Sequence, residues 1–194
     1  AAEFESLSPE TQRRRFLAPV HHLSEAMLDH LVDDVDGIDH VALVLCAETE
    51  PDVFDPVALA RIVRYADAPD AADLAVTVKD SWQGRGVATA LLQVLVRARP
   101  AGVRRIVTEV LADNPASLAM LRRLGEVSLH EEGNGVRGVV VELSSAAGAP
   151  DGTASATASA PPTADAPVRV TPLLGDRGHH HLLRTRDQVC PWFH

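Results

Sequence analysis

Gln83-Gly84-Arg85-Gly86-Val87-Ala88 have the residue types and spacing of an anion site. They stand between a strand-like run, Leu74 to Lys79, and a helix-like run, Val87 to Arg99. A glycine-bearing turn feeding a helix leaves backbone N–H groups unpaired and aimed at one point. The positive end of the helix dipole lies at the same point. The chemistry this suits is the binding of a phosphate or pyrophosphate. A P-loop would need Lys and Ser/Thr after the last glycine, but Val87 and Ala88 follow Gly86. A dinucleotide fingerprint would need glycine or alanine where Thr89 stands, and an acidic ribose partner near 104, where Arg104 and Arg105 stand. An acyl-CoA carrier is the third reading.

The elements that must position this turn are legible around it. Ser8-Pro9-Glu10 is a helix start, with Ser8 as N-cap and Pro9 at the first helical position, and the helix runs to about Phe16. Ser24 starts a second helix with an apolar stripe of Met27, Leu28, Leu31 and Val32. Strands are expected at His40–Ala47, Val57–Tyr65 (after a loop holding Pro51 and Pro56) and Asp73–Lys79. Helix 87–99 ends before Pro100 and Gly102, and Arg104–Leu111 is the next strand. Asn114-Pro115 opens a helix that stops at Gly125. Gly133-Asn134-Gly135 joins Val127–Glu131 to Val136–Leu143 as a hairpin. This order predicts an α/β (α+β) fold: a single mixed sheet with helices on both faces.

The 194 residues are 46% hydrophobic, enough for one well-packed domain over residues 1–143. From about Ser144 the composition turns to Ala, Ser, Thr, Pro, Gly and Asp, which predicts a flexible linker over 144–167. Residues 168–194 are expected to be a disordered tail, although Val168-Arg169-Val170-Thr171 has β character and the linker is long enough for it to return to the sheet. The net charge of −9 argues against nucleic acid and favours a basic or amine-bearing substrate. No apolar run reaches a membrane span, and no signal peptide is legible. Two cysteines, Cys46 and Cys190, make no disulfide framework, so a cytoplasmic setting is expected. Oligomeric state is not legible.

Gln83-x-x-Gly86-x-Ala88 resembles motif A of the GNAT superfamily of acetyl-CoA-dependent N-acyltransferases. Asp73 to Trp82 resembles that family's fourth strand and following loop. Glu109 to Asn114, through Leu124-Gly125, resembles its next strand and helix. Leu7-Ser8-Pro9-Glu10 and Arg15-Phe16 are similar to the GNAT domains of bacterial protein lysine acetyltransferases. The resemblance covers roughly residues 5 to 143. It implies splayed central strands, pyrophosphate on the backbone of Gly84, Arg85, Gly86, Val87, Ala88 and Thr89 beside Gln83, and a pantetheine arm along Val76 and Val78. A free N–H on that edge would polarise the thioester carbonyl. Acetyl-CoA is the implied cosubstrate, and an amine the implied acceptor, with a protein lysine as the form suggested by the lysine-acetyltransferase branch.

The resemblance also assigns proton transfer. The family's usual base stands ten residues before the motif A Gln, which is Asp73, one methylene shorter than the usual Glu. The plainer reading of Asp73 is a strand start. Glu109, on the next strand, has the same two readings: a cleft carboxylate or a solvated strand residue. Asn114 is a helix cap and a pantetheine contact, roles one amide can combine. The tyrosine that protonates the leaving thiolate in many members is replaced by Leu121, and the usual Phe after the helix-ending glycine by Glu126. The family's opening strand is missing ahead of Ala1-Ala2-Glu3-Phe4. These departures keep a second reading open, a non-catalytic CoA-binding regulatory or interaction module.

Other clusters carry less. His21-His22 has no spaced third ligand, and His179-His180-His181 are adjacent, so no metal is assigned. Aligning Gly37 of Asp34-Val35-Asp36-Gly37 with the sixth position of a calcium loop puts Val32 and Leu43 at ligand positions, which fails. Arg13-Arg14-Arg15 is read as a solvated helix face, with contact to the CoA 3′-phosphate or a partner as the alternative, and Trp82 as packing beside the turn, with shielding of it as the alternative.

Overall fold

The structure is a computed structural model that describes residues 2–18, 20, 22–28, 34–144 and 168–173. Residues 145–167 of the linker expected over 144–167, the tail beyond 173 with its histidines, His21, and Leu31 and Val32 of the second helix lie outside the described residues.

After a single turn, α1 (Ala2–Glu5), Ser8 caps α2 (Pro9–Phe16) with Pro9 at the start, as its sequence dictates. α3 (Glu25–Leu28) follows. β1 (His40–Glu50), β2 (Val53–Arg64) and β3 (Ala71–Val78) form an antiparallel meander. Pro56 is not in a loop. It sits inside β2 opposite Cys46, where the β1–β2 register shifts. A bulge is one of the places where a residue without an N–H fits a sheet. α4 (Val87–Arg97), β4 (Arg105–Leu111), α5 (Pro115–Leu121) and the hairpin β5 (Gly125–Gly133) and β6 (Val136–Leu143) complete the main run.

α5 ends at Leu121, short of the expected stop. Gly125 opens β5 instead. A Cβ there would lie 1.9 Å from the Glu142 carbonyl oxygen, so close strand pairing selects the glycine. The residues expected to be disordered from 168 onward are corrected in part, because β7 (Val168–Leu173) pairs antiparallel with β1. Its Leu173 is buried with Val35, Ala42, Val44 and Cys46, and the Arg169 guanidinium lies 3.8 Å over the Phe54 ring. Burying that apolar end and closing an open strand edge offset the ordering entropy.

The seven strands run in the order β5-β6-β4-β3-β2-β1-β7. Among the described strands only β3 and β4 pair in parallel. Leu91, Leu92 and Leu95 of α4 are wholly buried in one core with Ala58, Ala60, Ile62 and Leu74. Alternation along a strand sends Arg61, Asp73 and Ala75 to the opposite face, the one α2 covers. Among the described residues no helix is long and apolar enough to cross a membrane.

Candidate functional site

β3 and β4 pair only at Ala71–Arg105 and Ala72–Ile106, then part. The splay creates the site. Leu74 and Val78 turn their carbonyl oxygens toward the gap, where they accept hydrogen bonds from Thr108 Oγ1 (3.2 Å) and Gln83 Nε2 (3.1 Å). Strand geometry therefore aims the backbone of Val76, between them, into the same gap.

At the end of β3 a 3-10 turn (Asp80–Trp82) leads into the glycine turn. Gly84 and Gly86 have φ of 73° and 78°, a conformation that favours glycine. A Cβ on either would meet nothing within 4 Å, so the space above them is open. Gly86 caps α4 without a side-chain bond, and the first intrahelical bond runs from Ala90 N–H to the Gly86 carbonyl (3.0 Å). The N–H groups of Val87, Ala88 and Thr89 precede it and face outward. With Gly84, Gln83, Val76 and Val78 they line a cleft of about 320 Å³. Arg85 does not line it. Its guanidinium lies over the Trp82 ring, 5.2 Å from the centroid.

Three other polar groups brace this turn. Asp80 accepts from Ser8 N–H (2.9 Å), Ser8 Oγ (2.6 Å) and Thr11 Oγ1 (2.8 Å). Gln83 Nε2 reaches Thr11 Oγ1 (2.9 Å) as well as Val78 O. The Gln83 side chain thus ties β3 to α2, and its own N–H goes to the Asp80 carbonyl (3.2 Å). Burial pushes the Asp80 carboxyl up, but the bonds from Ser8 and Thr11 outweigh it and hold it below the usual carboxylate range.

A second cleft, of about 370 Å³, continues from the first and shares Val76, Asn114 and Ser117 with it. Asp73 and Glu109, the two carboxylates singled out in the sequence, both line it, with Glu132 and Tyr65. Asp73 is half-buried and Glu109 exposed. Asn114 caps α5, its Oδ1 accepting from Ser117 N–H (3.2 Å) and its Nδ2 donating to Ser117 Oγ (2.8 Å). That leaves one amide hydrogen for a ligand. Leu121 is buried at 2% exposure and offers the cleft no hydroxyl.

Sequence reading missed Tyr65, Arg15 and Asp80. Tyr65 donates to the Val107 carbonyl (3.0 Å) across the splay. Burial, and then the charges of Asp73 and Glu109, push its hydroxyl pKa up. Hairpin arithmetic could have found it, since Tyr65 N–H bonds Ala71 O, two residues from Asp73. Arg15 overturns the solvated-face reading of the arginine run. Arg13 pairs with Glu10 (3.1 Å) and Asp113 (2.8 Å) and Arg14 with Glu10 (2.7 Å), while Arg15 turns inward. Burial, and then Arg61, pull its guanidinium down to about 10. Asp36, of the rejected calcium pattern, accepts N–H bonds from Ile38, Asp39 and His40 and shapes the entry to β1.

The arrangement can hold an elongated anionic thioester, with phosphates on the glycine turn and the arm along Val76, and can present its reactive carbon to an amine beside Asp73. The profile of the acetyltransferase (GNAT) family matches residues 8–125. Acetyltransferase Pat of Mycolicibacterium smegmatis is 38% identical over 126 residues, 64% of this chain and 36% of that protein. The chain thus spans about a third of the length of this curated relative. The crystal structure of the GNAT domain of S. lividans PAT superposes with a TM-score of 0.59 at 32% identity, over 73% of this chain and 82% of that one.

Proposed function

The chain belongs to the acetyltransferase (GNAT) family, and on that premise we propose that it transfers acetyl from acetyl-CoA to an amine, a protein lysine side chain, by direct attack on the thioester. The observation that carries this reading is the open turn at Gly84–Thr89 placed at the mouth of the β3–β4 splay. The pyrophosphate rests on the N–H groups of α4, where any larger residue at 84 or 86 would be strained. Pantetheine continues the sheet along Val76, whose N–H polarises the thioester carbonyl.

The acceptor enters the cleft lined by Asp73, Glu109 and Glu132, carboxylates that favour a lysine ammonium. Asp73 takes a proton from the ammonium, directly or through one water. The freed nitrogen attacks the carbonyl carbon, the C–N bond forms, the C–S bond breaks, and the CoA thiolate leaves. The nitrogen sheds its second proton as the amide forms, and water carries that proton to the thiolate, since Leu121 has none to give. Asn114 steadies the arm, and Glu109 helps attract the acceptor.

The buried Leu121 also favours a second reading, a CoA-binding module without turnover. Calorimetry with acetyl-CoA, followed by free-thiol release in the presence of lysine-bearing peptides and proteins, separates the two. Thiol release with acetyl-lysine detected by mass spectrometry is the expected result. Tight binding without release on any amine would leave only the module.

A further inference from the structure

Two guanidiniums stand near Asp73 without a hydrogen bond among the described residues. Arg61, on β2 opposite Ala75, is 9% exposed, and its Nε and Nη1 are buried with no hydrogen bond. Arg15 stands on α2, with its guanidinium 4.9 Å from the Phe16 ring centroid. It lines both clefts at the place where they join. Neither arginine, nor Asp73, makes a hydrogen bond or ion pair among the described residues. Two positive charges therefore face one carboxylate, and the arginines repel each other through poorly solvated surroundings. Two poorly solvated cations that share one counter-charge are costly, so an arrangement of this kind fits a second anion that arrives with a ligand. A planar guanidinium suits a carboxylate, which it can grip with two N–H groups.

We propose that Arg15, backed by Arg61, forms a carboxylate subsite at the junction of the donor and acceptor clefts. This rests on the reading of the two clefts given above. The carboxylate is carried by one of the two reactants, either at the far end of a CoA-linked acyl chain or on the amine acceptor. Arg15 touches it, and Arg61 holds the local field positive and offsets Asp73, so that Asp73 does not repel the incoming charge.

The test compares matched ligands by calorimetry on the whole chain. Succinyl-CoA against butyryl-CoA probes the donor side, and lysine against lysinamide, with CoA present, probes the acceptor side. One pair is expected to differ by about tenfold or more in favour of the carboxylate. Arg15→Gln should collapse that ratio, and Arg15→Lys should keep part of it. No preference in either pair overturns the proposal, and that result depends on no variant folding. An Arg15→Gln protein that keeps the ratio, or that weakens both members of a pair equally, also overturns it. The measurement needs no turnover, so a chain that binds acetyl-CoA yet acetylates nothing sinks the proposed function and leaves this comparison standing.

Discussion

Ser8 donates both its backbone N–H and its hydroxyl to Asp80, at 2.9 and 2.6 Å, across 72 residues of sequence. The same serine caps α2 by accepting from Thr11 N–H (3.3 Å). One contact therefore fixes the start of the helix that borders the cleft of Asp73 and the turn that leads to Gly84 and Gly86. Asp80→Ala should cost about 1 kcal/mol of stability after allowance for its exposure, read by urea denaturation. It should also weaken acetyl-CoA binding, because Gln83 Nε2 loses its 3.4 Å bond to Asp80 Oδ1.

The pH dependence of that contact has a definite sign. The folded Asp80 carboxyl lies below its unfolded value, so its stabilisation is present above the unfolded range and is lost as pH falls through the folded value. Asp80→Asn should flatten acid unfolding below about pH 4 relative to the parent protein, followed by circular dichroism.

Gly86→Val should abolish acetyl-CoA binding by crowding the phosphate site and straining a φ of 78°. Gly102→Val is the control. Gly102 has a φ of 88° and lies outside both clefts, so it carries comparable strain and should leave binding intact. Equal binding losses in the two variants would assign the effect to folding.

Asp73→Asn should leave acetyl-CoA affinity within about twofold and lower kcat by about a hundredfold or more, in the range typical of a lost general base. Glu109→Gln should chiefly raise KM for a cationic acceptor. Steady-state thiol release separates them, and an unchanged kcat in Asp73→Asn would remove that residue from proton transfer.

β7 should be measurable as structure. Amides at 168–173 that pair with β1 should show slowed hydrogen exchange. Leu173→Ala should cost about 2 kcal/mol or more, with the C-terminal strand opening first.

Much of this was legible in order along the chain. Ser8-Pro9, Gly133-Asn134-Gly135 and the apolar, Val- and Ile-rich runs of β1 and β4 name their elements because capping, turn and strand preferences act over a few residues. Gly84 and Gly86 announced a tight turn into α4 for the same reason. Pro56 and Gly125 were misplaced because a bulge and a close strand contact depend on the partner strand. The terminal strand looked weak because its local composition is weak, and its stability comes from the apolar pocket around Val44 and Cys46.

The sequence by itself determined the glycine turn with its flanking strand and helix, and the strands that carry Asp73 and Glu109. Local backbone preference and side-chain type suffice for those. Only the tertiary structure decided which charges meet. Arg13, Arg14 and Arg15 are one run in the chain, yet helix rotation sends two to surface carboxylates and one inward toward Arg61 and Asp73. Electrostatics falls with distance through space and rises with burial, and neither quantity is written along a chain.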